Sequence, residues 1–283
     1  MTEGKMQRGW RLTRESWSVV RLRPGLLVIP AVSFLATAVA AVALLGPWSL
    51  DVIDHHSRER MFVDAAICAY PFTLISTFCN VAFALLAAAV VDGRRMTVGE
   101  AFAGARSRLG AIALWALIAT VVGTALRGLE QLPAVGGLAG RVVEWLAGLL
   151  WSLATFFVVP VLALEDASAP AALRRSAQTI RRSWGESVTG AVVVGSVFGL
   201  ISVGGVIVGA IGVLWGHSGF APAYLVAVAA AAALVLSAVV QTAVTQVFRL
   251  AVYRYATESG ATGPFAASDL EDAFRPRARR FWQ

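Results

Sequence analysis

Apolar residues in this chain gather into six long runs, and short polar stretches between them hold almost all of its charge. The runs cover residues 24–45, 65–91, 109–126, 142–164, 187–215 and 223–248. A bilayer core about 30 Å thick needs about 20 helical residues, each rising about 1.5 Å. The pattern therefore predicts an all-α, polytopic membrane protein with six transmembrane helices. Residues 1–23 precede the first span, 24–248 form the membrane domain and 249–283 form a tail. A hydrophobic content of 58% and a mean hydropathy of +0.71 agree with that class.

Charge gives the chain a direction. When it is threaded through six spans, 20 of its 24 Lys and Arg fall on the side of the termini. These lie in the N-terminal segment, the loop after span two (Arg94, Arg95, Arg106, Arg108), the loop after span four (Arg174, Arg175, Arg181, Arg182) and the tail. Only Arg58, Arg60, Arg127 and Arg141 lie on the other face. Cytoplasmic loops carry such an excess, so both termini are expected in the cytoplasm and the protein in a prokaryotic inner membrane. Anionic cytoplasmic lipid accounts for the net charge of +7 without nucleic acid as a partner. The first run is too long for a cleavable signal, whose core is about 7–15 residues. Cys68 and Cys79 lie on one predicted helix, roughly 16 Å apart along its axis, too far for a disulfide.

The polar stretches predict surface helices. Trp10, Thr13, Trp17 and Val20 recur at helical spacing among arginines, a pattern suited to the headgroup layer. After span two, Thr97-Val98-Gly99-Glu100 offers a capping box that opens a short helix through Arg108. After span four, Asp166 or Ser168 caps a second short helix, with Pro170 in its first turn, running through Arg182. Each leads past a glycine, Gly110 or Gly185, into the next span. Two copies of span, amphipathic helix, span make a parallel internal repeat. Glu165 at the end of a span opposes the helix dipole, so it should pair with Arg174, Arg175 or an arginine of the first loop. In the tail, Ser268-Asp269-Leu270-Glu271 is another capping box before a basic, aromatic end.

Three patches carry a resemblance. They are Val158 to Asp166 with Ala171 to Ser176 and Trp184-Gly185-Glu186; Ser16-Trp17 through Arg23 to Leu27 and Pro30; and Phe248-Arg249 through Tyr253 to Tyr255 with Leu270 to Phe274. Together they resemble an uncharacterised family of prokaryotic multi-pass proteins. The central patch is also similar to the membrane domain attached to some glycerophosphoryl diester phosphodiesterases. That domain carries no phosphodiesterase chemistry. The resemblance implies a fold, a location and a link to lipid, with Glu165, Asp166, Arg174, Arg175 and Ser176 as its central residues and no catalytic group.

Candidate chemistry is sparse. Asp51, Asp54, His55, His56, Glu59 and Asp64 cluster in the loop after span one, yet their spacing matches no established metal site, and a solvated loop explains them. His217 stands apart in a later outer turn. Within the spans Glu144 lies only a turn inside span four, where Arg141 just before the span can pair with it, and nothing ionisable sits deeper, which argues against proton-coupled transport. The remaining polar side chains are Asn80 in span two and Gln241, Thr242, Thr245 and Gln246 in span six. Two uses are open: bonds between helices, or the lining of a polar path. Span five carries three glycine pairs at spacing four, Gly195 with Gly199, Gly205 with Gly209 and Gly212 with Gly216, which let helix backbones approach within the bundle or across a dimer.

These features predict a non-enzymatic membrane protein that organises or handles lipid or supports a membrane complex. No cofactor and no metal are expected. The expected partners are a bilayer with anionic headgroups and a membrane protein or a second copy of the chain. The rival is a small permease or channel using the polar faces of spans two and six. An enzyme would need the outer Asp and His loop to bind metal.

Overall fold

A computed structural model describes residues 24–48, 58–129, 138–183, 203–215 and 222–258, and every element among them is helical. A 3-10 turn at Pro24–Leu27 leads into α1 (Val28–Trp48). Then come α2 (Arg58–Val91), α3 (Val98–Ser107) and α4 (Leu109–Leu129). They are followed by α5 (Leu138–Ala154), α6 (Val158–Leu164), α7 (Ala169–Ser183), α8 (Val203–Trp215) and α9 (Ala223–Glu258).

Five stretches are long and apolar enough to cross a membrane: Gly25–Leu44, Ile67–Val91, Leu109–Arg127, Trp145–Leu164 and Tyr224–Arg254. The chain is therefore built as a multi-pass membrane protein. For the expected fifth span, the described part is the 13-residue helix α8, and its first half lies outside the described residues. So do the N-terminal segment, the outer loop with Asp51, Asp54, His55 and His56, His217, and the tail beyond Glu258. Glu59 and Asp64 fall on the first turns of α2, because that helix starts at Arg58 and not at residue 65.

The chain divides into two compact units. One comprises Ala31–Ala89 and Arg94–Arg182. In it α2 carries a buried stretch from Val81 to Ala89, and Gly104 of α3 lies so close that an added Cβ would sit 2.9 Å from Leu85. Phe78 stacks on Phe102 with ring centroids 5.9 Å apart, and Trp115 of α4 stacks on Trp151 of α5 at the same distance. Small residues let the short helix approach, and aromatic pairs fill the space beside it.

The other unit comprises Met1–Pro30, Val90–Gly93 and Ser183–Gln283. Its described core includes the 3-10 turn, packed on α9, with Leu26 of the turn and Ile29 at the start of α1 fully buried. The two ends of α9 differ. Leu225, Val228 and Leu236 are exposed, as side chains facing hydrocarbon are, whereas Ala243, Val244, Val247, Phe248 and Leu250 are buried. At 36 residues α9 rises about 54 Å, well beyond one bilayer core. It does not stop at Phe248; it continues through Arg249 and Arg254 to Glu258. Gly205 and Gly209 of α8 face α9: a Cβ at 205 would meet Leu234 at 2.5 Å, and one at 209 would meet the Cβ of Ala230 at 3.6 Å. Gly195 and Gly199 lie outside the described residues.

The fourth apolar run is not one helix. Pro160 has no N–H to give the carbonyl of Phe156, and its ring crowds that carbonyl. The helix breaks one turn earlier, between Ala154 and Val158, where Phe156 and Val158 donate to the carbonyls of Leu153 and Thr155.

Candidate functional site at the arginine-rich span ends

The chemistry-bearing side chains among the described residues concentrate at two corners, each where a span ends in an acid. The first is Asp92-Gly93. Gly93 takes a left-handed conformation, φ +68°, which glycine adopts without steric cost. Its N–H donates to Val90 O at 3.1 Å and the N–H of Arg94 to Ala89 O at 2.8 Å, the paired bonds of a Schellman cap. Asp92 is then fixed as the last residue of the cap. Its two oxygens accept from the two terminal nitrogens of Arg254, Nη2 to Oδ2 at 3.1 Å and Nη1 to Oδ1. The Arg254 side chain is 8% exposed and that of Asp92 29%. A fork-on-fork pair of this kind is directional as well as charged.

The second corner is Glu165-Asp166. The N–H of Glu165 closes α6 on Val161 O at 2.9 Å. Asp166 is left-handed at φ +49°, where Gly93 stands in the first corner. An aspartate tolerates that region better than most residues, at a cost glycine avoids. Glu165 Oε1 accepts from Arg175 Nε at 3.3 Å, one of the three pairings open to it from sequence. Asp166 meets Arg108 Nε at 3.5 Å, and Arg108 Nη1 also donates to the Gly104 carbonyl at 2.9 Å. Asp166 is 83% exposed, so this contact is weak in water.

Ser176 explains how the broken span is tolerated. Its side chain is fully buried, and Oγ accepts the N–H of Phe157 at 3.0 Å. An unpaired N–H in hydrocarbon costs several kcal/mol, by about the size of a lost hydrogen bond in that medium. A side chain from α7 supplies the acceptor that the helix lacks. Ser176 lies on a buried face of α7 with Ala169, Ala172, Thr179 and Ile180. That face is turned into the protein, not into lipid.

The helix α3 begins as its sequence predicts. Thr97 Oγ1 accepts the Glu100 N–H at 3.2 Å, and Glu100 Oε2 accepts the Thr97 N–H at 2.7 Å. These bonds from the Thr97 backbone and hydroxyl hold the Glu100 carboxyl below its ordinary range. The start of α7 is placed by Ser168, whose carbonyl accepts the Ala172 N–H at 2.8 Å. The first short helix ends at Ser107 with Arg108 as its C-cap, and α4 starts at Leu109, so Gly110 lies inside α4.

A family model described as a family of unknown function, DUF6159, matches residues 66–264. The chain belongs to that family. The DUF6159 match spans both corners, Ser176 and all of α9, and leaves the first span outside. No curated protein and no solved structure matches the chain.

The other polar residues inside the DUF6159 region do different things. Asn80 Nδ2 donates to Ser76 Oγ at 3.4 Å, and Thr242 Oγ1 donates to the Ala238 carbonyl at 2.8 Å. Both bonds run within one helix, so neither is a tie between helices. Gln246 is buried, while Gln241 and Thr245 are half-buried on α9. Asn80 belongs to one compact unit, and Gln241, Thr245 and Gln246 to the other. Among the described residues no three His, Cys, Asp or Glu side chains come together as a metal site. Sequence reasoning misses the pairing of Asp92 with Arg254. The signal is present, since both charges border predicted spans on the same expected side.

Proposed function

We propose that this chain is a six-pass protein of a prokaryotic inner membrane, with both termini in the cytoplasm, working without catalysis to organise or handle lipid or to support a membrane complex. The observation that carries the reading is the charge asymmetry, 20 of 24 basic residues on one expected face. The corners support it. Their acids and several of their arginines are used to hold helix ends, which is architecture and not acid–base chemistry. The link to lipid is the one implied by the expected resemblance of Val158 to Ser176 to the membrane domain attached to some glycerophosphoryl diester phosphodiesterases; the family match itself is to a family of unknown function. The short helices α3 and α7 then lie at the cytoplasmic surface.

The test is native mass spectrometry of the protein released gently from its own membrane. Retained lipid or a co-released protein is the expected result and names the ligand or partner. A bare monomer that keeps neither overturns the proposal.

A further inference from the structure

The helix α7 is two-sided in an unusual way for a surface helix. Its small and apolar residues, Ala169, Ala172, Ser176, Thr179 and Ile180, are buried in the protein. An interfacial helix of the ordinary kind would put such a face into the acyl chains. Here that face is already used. At about 100° per residue, Arg174, Arg175 and Arg181 fall within a sector of about 120° on the opposite side. Arg174, Arg175 and Arg181 are exposed. Between residues 167 and 183 there is no acidic residue at all. Among the described residues, Glu165 supplies counter-charge to this face, at 3.3 Å from Arg175.

The position of α7 restricts what this face can meet. Four residues separate the end of α6 at Leu164 from Ala169. Fully extended, they span at most about 14 Å. The headgroup layer is about 5–8 Å thick on each side, so the helix begins inside or just beyond it. Within that layer a soluble polyanion would have to displace headgroups, and at its edge lipid phosphates are already present at high density.

We infer that the arginine face of α7, Arg174 and Arg181 foremost, is a docking surface for the phosphates of anionic phospholipid headgroups. Binding there is by charge and guanidinium–phosphate hydrogen bonding alone, since no apolar face remains for insertion. The surface therefore selects lipid by headgroup charge. This rests on the lipid-handling reading above and narrows it to a ligand class and a place.

The experiment uses the full-length protein in a neutral detergent, doped with phosphatidylglycerol or with phosphatidylcholine. Native mass spectrometry reads the number of lipids retained. The wild type is expected to keep phosphatidylglycerol in clear preference, and R174Q/R181Q to lower that preference about 25-fold, from roughly fivefold for each arginine near an anionic surface. R127Q, at the other end of α4, is the control and should leave it unchanged. Equal thermal unfolding of wild type and R174Q/R181Q shows that folding is intact; if the double variant unfolds early, R174K/R181K keeps the charge and should retain the preference. A wild type that holds both lipids equally overturns the docking surface and leaves the lipid-handling reading standing. A wild type that holds neither overturns both. An equal loss in R127Q also overturns the docking surface, because any arginine would then serve.

Discussion

At Asp92 a span end is tied to an arginine 162 positions further along the chain, through two contacts and with little exposure. At Glu165 the tie closes over ten positions, through one contact, with the Arg175 side chain 45% exposed. The two corners share a plan, an acid followed by a left-handed residue, and differ in what the acid holds. The first joins distant parts of one compact unit. The second pins a short helix beside the span it follows. Burial decides the energetics: a pair removed from water is costly to break because the surviving charge is stranded, while an exposed pair contributes little.

That contrast can be broken most sharply at the buried pair. Asp92→Ala strands the buried Arg254 guanidinium and should destabilise the protein by about 3–5 kcal/mol, read as thermal unfolding in detergent. The exchange D92R/R254D should recover part of the loss; no recovery would mean that the pair's attraction is not what holds α9. Next in size is the hydroxyl at the break. Ser176→Ala leaves the Phe157 N–H without its acceptor and should cost about 1–3 kcal/mol, whereas Ser176→Thr keeps the oxygen and should cost less. If alanine and threonine behave alike, the hydrogen bond is irrelevant to stability.

The left-handed positions predict opposite signs. Gly93→Ala should destabilise by about 1–2 kcal/mol, because a side chain is forced into that region. Asp166→Gly relieves the same strain and loses only the exposed contact with Arg108, so it should be neutral or stabilising. Equal losses at both would show that the two corners are not equivalent. Glu165→Gln is expected to cost less than about 1 kcal/mol. Charge reversal at Glu165 should lower expression, and a reversed Arg175 should restore it.

The smallest effect concerns pH. The Glu100 carboxyl sits below its ordinary range in the folded protein, so it favours folding above its unfolded value. That contribution fades as pH falls through the lowered value. Amide hydrogen exchange in the first turn of α3 should speed up over that acid range, and Glu100→Gln should remove the dependence.

Much of this architecture is legible in residue order. Hydropathy finds the five spans seen among the described residues, since each run must satisfy its backbone inside the bilayer. The Thr97 to Glu100 box is local chemistry and forms as its spacing predicts. Glu165 seeks a nearby arginine because its dipole environment is unfavourable. The break at residues 155–157 escapes a hydropathy reading, although Pro160 marks it. A run of apolar residues scores the same whether or not one N–H is missing. The partner of Asp92 is hidden for a different reason: no periodicity links positions 162 apart. The handedness of Asp166 is hidden too, because nothing in an aspartate announces a positive φ.

The hydrogen bond from Phe157 to Ser176 also has a consequence in time. The acceptor is encoded 19 residues after the donor. At about 5–20 residues per second, synthesis leaves the break in the fourth span uncapped for about 1–4 s. During that interval the Phe157 amide must rest on water or on the insertion machinery, and α6 alone, seven residues long, cannot shield it. The fourth span is thus completed by a helix made after it, so a chain arrested shortly past Leu164 would leave an unfinished membrane segment at the mouth of the translocon.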